Sequence, residues 1–183
     1  MHYHKYGLLP FLVLLLLCSS VFAKGPIRVL EGIVSKVSDG DTVTVTSGGT
    51  KLRVRLYGID APETEKRNRQ TVEVSKQGLP FGEEAFKALE GKVCRKRVKL
   101  EVKAIDRYRR VVAVVWLDGR DINREMVAEG WAWAYRQYLR SPYVSEYIAA
   151  EEEARAKEHG LWKQANPLPP WEFRKRLRAD KRY

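Results

Sequence analysis

Val54-Arg55-Leu56-Tyr57-Gly58-Ile59-Asp60-Ala61-Pro62-Glu63-Thr64 begins as a strand and ends as a cluster of charge. Val54 and Leu56 alternate with Arg55 and Tyr57, the period of two expected of a half-buried strand. Gly58 breaks it, and Asp60, Pro62 and Glu63 follow within one turn. Two carboxylates around a proline repel one another unless a cation or a substrate gathers them. Two more charged turns lie on either side, Asp39-Gly40-Asp41-Thr42 upstream and Asp106-Arg107-Tyr108-Arg109-Arg110 downstream. Together they offer acids to hold a metal, an acid to act as base and arginines to hold phosphate, which is what phosphodiester chemistry needs.

Outward from this stretch, Ile27 to Lys36 alternates as a strand and Thr42 to Thr46 is β-branched throughout. Ser47-Gly48-Gly49-Thr50 reads as a hairpin turn into a third strand from Lys51 to Tyr57. Thr64 to Gly78 has no apolar period and is expected to be an exposed, mobile loop. Pro80 to Gly91 is a predicted helix, with Phe81, Ala85, Phe86 and Leu89 at helical spacing. Val98 to Ile105 and Val111 to Leu117 are the fourth and fifth strands, the latter apolar enough to be buried on both faces. Asp121 is expected to cap a helix through Ala128, and Ser141-Pro142 to start a last helix, Tyr143 to His159. Glu151-Glu152-Glu153 on that helix reads as a solvated face. Five strands with three helices predict an α+β fold built on a five-stranded OB-fold barrel.

The chain has 183 residues and two cysteines, Cys18 and Cys94. Lys5 precedes an apolar run from Leu8 to Leu17, and Val21-Phe22-Ala23 offers a cleavage site, so residues 1–23 read as a signal peptide. A lipoprotein signal at Cys18 and an uncleaved anchor are the alternatives. Cleavage after Ala23 leaves Cys94 without an intrachain partner and predicts a secreted or periplasmic chain with no stable membrane insertion. The net charge is +11, of which Lys5 alone lies in the signal, leaving +10 on a mature chain suited to a polyanion. The domain is expected over 24–165, followed by a basic, proline-containing tail over 166–183, read as a disordered end. A monomer is the default.

Val37-Ser38-Asp39-Gly40-Asp41-Thr42-Val43, Arg55 to Thr64 and Asp106 to Arg110 resemble, in order and spacing, three blocks of the staphylococcal-nuclease-like family (thermonucleases). Asp118-Gly119, Asn123 and Gly160-Leu161-Trp162 look like its later landmarks, so the likeness spans roughly Val29 to Trp162. It implies an OB-fold barrel with three helices and calcium-dependent hydrolysis of DNA and RNA to 3′-phosphate products. Carried over by position, Asp41 and Asp60 are the Ca2+ carboxylates, with the carbonyl of Ala61 as a further ligand. Glu63 resembles the general base, Arg55 and Arg110 the phosphate-binding arginines. Arg107 and Tyr108 match contacts to the terminal phosphate, and Tyr138 a wall of the nucleoside pocket. Arg109 stands where the family usually has glycine, the loop from Thr64 to Gly78 is longer, and the tail past Asn166 has no counterpart.

The residues themselves are compatible with this. An all-oxygen set suits calcium, and the absence of CxxC or HxxxH spacing in the mature chain argues against zinc. Each motif also has a plainer account. Asp39 and Asp41 can be turn residues, Asp60 and Glu63 a solvated turn, Arg55 the polar face of a strand, and Arg107 to Arg110 a basic loop. Trp131 and Trp133 read as packing aromatics. Two other functions fit the same residues: a binding module that lost catalysis, and a basic envelope protein acting through its tail.

Overall fold

The computed structural model describes residues 28–68 and 70–180. The expected signal segment lies outside them. Three strands, β1 (Arg28–Asp39), β2 (Thr42–Ser47) and β3 (Thr50–Leu56), form an antiparallel meander from the β-branched sequence. Gly48 and Gly49, at φ 52° and 77°, make the hairpin turn that requires two left-handed residues. The short β4 (Ile59–Asp60) follows, then a small hairpin of β5 (Lys66–Arg67) and β6 (Val74–Lys76). The remaining elements are α1 (Gly82–Val93), β7 (Arg97–Ile105), β8 (Val111–Leu117), β9 (Arg120–Asp121), α2 (Ile122–Ala128), β10 (Trp133–Ala134), α3 (Tyr143–Ala156), a 3₁₀ turn over Gly160–Lys163, and α4 (Pro170–Asp180).

The sheet order is β3-β2-β1-β7-β8-β9, and β3 also pairs with β8 in parallel, Val54 opposite Val111 and Arg55 opposite Val112. That pairing closes a five-stranded mixed barrel of the expected OB type and removes its two free edges. Val34, Val43, Val45, Val54, Leu100 and Ala113 are fully buried. Val111, Ala113, Val114, Val115 and Leu117 of β8 are all buried, as the continuous apolar run predicts for a strand covered on both faces. Asp121 caps α2 by accepting from Arg124 N–H at 3.0 Å. The buried Asn123 ties that helix to the barrel: Nδ2 donates to the carbonyls of Tyr57 and Ala113, and Oδ1 accepts from Val115 N–H.

Four local expectations change. The loop after Glu63 is a hairpin, because Lys66 and Arg67 pair with Lys76 and Val74. Pro142, not Ser141, precedes α3, without a side-chain cap. Glu151 is buried at 1% exposure rather than solvated, because Ala134 N–H and Arg136 reach its carboxylate at 3.2 and 3.0 Å. The tail forms a fourth helix in place of a disordered end. Trp171 packs against the cluster of Trp133, Ala154, Leu161 and Trp162, which supplies the apolar burial that a short basic helix lacks in isolation. No helix among the described residues is long and apolar enough to cross a membrane.

Candidate active site

The barrel brings the first two charged turns together. Thr42 pairs with Arg55 across β2 and β3, so Asp41, one residue before the strand, lies beside the end of β3. Asp41 Oδ2 accepts from Ala61 N–H at 2.9 Å, which joins the two acidic turns directly. Asp60 is held by β4, where it pairs with Trp133 of β10. Both aspartates are buried, Asp60 completely. Arg55 reaches both: its guanidinium pairs with Asp41 Oδ1 and donates to Asp60 Oδ1 at 2.6 Å. Two carboxylates in so little water are tolerable only with such partners.

Glu63 sits three residues beyond Asp60, and its backbone is fixed by α1. Leu79 N–H donates to the Glu63 carbonyl at 2.8 Å. A Cβ added to Gly82 would lie 2.3 Å from that same oxygen, so only glycine lets the helix start this close. The Glu63 side chain is 14% exposed and carries two cations. Lys76 of β6 pairs with Oε2, and Arg174 of α4 donates to Oε1 at 2.8 Å. Burial alone would raise the Glu63 pKa, but the bonds from Lys76 and Arg174 outweigh it and hold the carboxyl below its usual range.

Arg174 also spans Asp60, with Nη2 to Oδ2 at 2.6 Å and Nη1 to Oδ1 at 3.2 Å. Asp39 accepts from Thr64 N–H at 3.1 Å and from Lys76 at 3.1 Å, which locks the turn after β1 onto the residue following Glu63. Burial raises the Asp39 pKa, and the Thr64 and Lys76 bonds bring it below the ordinary value.

The third turn is built separately. Asp106 Oδ1 accepts from the N–H groups of Tyr108 and Arg110, and Arg110 Nε donates to Oδ2 at 2.7 Å. Arg110 is thus paired within its own turn and not with Asp41, Asp60 or Glu63. Residue 110 immediately precedes β8, whose Val112 is the partner of Arg55 on β3. Arg109, at the position usually glycine, has φ 60°, the left-handed conformation that glycine adopts without strain. Arg107 Nη2 donates to Tyr108 Oη at 2.9 Å, and Tyr108 is 62% exposed.

Tyr138 is 55% exposed, and its ring meets that of Tyr135 edge-on at 4.8 Å. Tyr135 also stacks on Trp171 of α4, at 5.1 Å with the planes 2° apart. Tyr135 is anchored beside the site through its N–H to the Gly58 carbonyl at 2.8 Å. The sequence reading missed Lys76, Trp171, Arg174 and Tyr135. Pro169-Pro170, with Trp171 and Arg174 three apart, was the available sign of a helix presenting both residues on one side.

Among the described residues, no three His, Cys, Asp or Glu side chains converge as a metal site. Asp41, Asp60 and the backbone oxygens near Ala61 nevertheless fit a hard cation. They are all oxygen donors of the kind such a cation takes, and in this arrangement the guanidinium groups of Arg55 and Arg174 occupy the two carboxylates.

The chain matches the family model described as staphylococcal nuclease homologue over residues 53–164. It is 40% identical over 148 residues to an uncharacterized endonuclease of Haemophilus influenzae, covering 80% of this chain and 74% of that one. It is 38% identical over 155 residues to protein ParB of Escherichia coli, covering 80% of each. A micrococcal nuclease of Shigella flexneri is 35% identical over 154 residues, covering 79% of this chain and 80% of the relative. With a closed OB-type barrel, two buried aspartates gathered by an arginine and a glutamate one turn on, the chain belongs to the family of staphylococcal nuclease homologues.

Proposed function

We propose that this nuclease is a calcium-dependent endonuclease that hydrolyses phosphodiester bonds of DNA and RNA and leaves 3′-phosphate ends. The observation that supports it best is the meeting of Asp41, Asp60 and Arg55 beside Glu63, which sequence-distant turns would not achieve by accident. Membership of a family of metal-dependent nucleases supports it further.

Asp41, Asp60 and the Ala61 carbonyl would hold Ca2+, which when bound supplies Lewis-acid polarisation of the phosphoryl oxygen. Glu63 takes the proton of the attacking water, whose oxygen forms the new bond to phosphorus. The P–O5′ bond breaks, the 5′ oxygen takes up a proton, and the phosphate stays on the 3′ side. Arg55 can turn from its carboxylates to the phosphoryl oxygens, donating to two at once. Arg110, on the turn that leads into the strand paired with β3, meets the same charge once it leaves Asp106, and loss of one such donor commonly costs about 10²–10³ in rate. Arg107, Tyr108 and Tyr138 line the approach for the terminal phosphate and the nucleoside.

The proposal includes a signal peptide over 1–23, a secreted or periplasmic home and a monomeric mature chain. The Leu8–Leu17 run and the small residues before Lys24 support the first two. The test is cleavage of plasmid DNA and of RNA by the chain from Lys24 onward, in Ca2+, Mg2+ or chelator, beside Glu63→Gln. Calcium-dependent cleavage that the variant lacks, with 3′-phosphate on the product ends, is the expected result. Salt-sensitive binding without cleavage in any metal would overturn it.

A further inference from the structure

The helix α4 lies beyond residues 53–164, the span matched by the family model, and two of its side chains enter the site. Arg174 places one guanidinium across Asp60 and Glu63, through three hydrogen bonds of 2.6, 2.8 and 3.2 Å. Trp171 lies flat on Tyr135, and it also meets Trp133 edge-on at 6.3 Å. Both positions are those that substrate chemistry needs. The carboxylates of Asp60 and Glu63 are where a cation and a proton must be accepted. The face of Tyr135 is an aromatic surface on which a base can stack.

We propose that α4 is a cis-acting latch, in which Arg174 takes the place of a cation on Asp60 and Glu63 while Trp171 covers the aromatic wall at Tyr135. The proposal rests on the nuclease function given above. A guanidinium bound to both oxygens of Asp60 leaves poor room for a divalent ion, and its charge repels one at close range. Glu63 is further occupied by Lys76, so it cannot receive a proton until at least one cation withdraws.

Release is within reach. The Arg174 side chain is 33% exposed, and on the described part of α4 Pro170 is the one buried residue. Arg174, Lys175, Arg176 and Arg178 crowd four positive charges onto less than two turns, so a helix freed from the carboxylates is attracted to the phosphates of incoming nucleic acid. Substrate and calcium therefore both favour the open state, since each binds surfaces that α4 covers.

The test is calorimetric titration of Ca2+ alone into the chain from Lys24, into Arg174→Gln, and into a chain ending at Leu168. Lys175→Ala, on a side chain 76% exposed, is the control on the same helix. Removing a bidentate competitor should tighten Ca2+ by about ten-fold or more in the first two variants and not in the control. Plasmid cleavage should rise alongside. Binding no tighter than in the unaltered chain, or slower cleavage by Arg174→Gln, overturns the latch. Tighter binding with no cleavage by any of the proteins keeps the latch and sinks the nuclease reading. Circular dichroism of Arg174→Gln, which removes charge and little volume, guards against loss of fold.

Discussion

Replacing Glu151 by alanine tests how a buried charge supports the site from behind. Its carboxylate is 1% exposed, accepts from Ala134 N–H at 3.2 Å and from Arg136 at 3.0 Å, and lies 3.5 Å from Arg155. Arg136 and Arg155 are 56% and 49% exposed, so each ion pair contributes little, about 0–1 kcal/mol once water screens it. The larger loss is the acceptor for the buried Ala134 N–H, which costs about 1–3 kcal/mol when left unpartnered. The sum is about 1–5 kcal/mol, which for a chain of this size lowers Tm by about 2–20 °C. Glu152 next door is exposed, and Glu152→Ala should change Tm by about 2 °C at most. Thermal unfolding followed by circular dichroism measures both. Because β10 pairs Ala134 with Ile59 and Trp133 with Asp60, the loosening should reach the site and lower cleavage as well. A Tm change in Glu151→Ala no larger than in Glu152→Ala would refute the burial argument.

Arg109→Gly relieves a left-handed arginine at φ 60° and should stabilise the chain by about 0.5–1 kcal/mol, read as a higher urea midpoint with unchanged slope. Gly82→Ala forces a Cβ to within 2.3 Å of the Glu63 carbonyl and should lower kcat/KM by about 10²-fold while the circular dichroism spectrum is retained. Burial raises the pKa of Glu101, but Lys103, Tyr143 and Trp116 outweigh it and bring it below 4.5. A depressed folded-state pKa gives stability that is present above 4.5 and lost as pH falls below it, so Glu101→Gln should flatten the acid limb of a Tm-against-pH curve; an unchanged limb would contradict the assignment.

What the sequence made legible was local: periodicity marked the five barrel strands, and glycine pairs and Asp121 marked turns and a cap. The two acidic turns were also legible, because each is a short run whose chemistry is carried by neighbours in the chain. Ion pairs across long separations were not. Nothing at Val74-Ser75-Lys76 says that Lys76 returns to Asp39 and Glu63, and nothing at Glu151 distinguishes it from Glu152 until α3 is laid against β10. The tail misled for the same reason. Its composition is that of a solvated basic end, and only the tryptophan cluster and the carboxylates of the barrel give Trp171 and Arg174 somewhere to go. The consequence for catalysis is a matter of charge balance. Asp41, Asp60 and Glu63 are neutralised in the closed arrangement by Arg55, Arg174 and Lys76. A phosphodiester brings more negative charge to the same place, so it can enter only with a cation that takes over the aspartates and frees Arg55 to face the phosphate. Cation and nucleic acid should therefore bind with positive cooperativity, each tightening the other by the same factor. Titrating Ca2+ into Glu63→Gln with and without a short oligonucleotide measures that factor, and a value of one would mean that Arg55 never leaves its carboxylates.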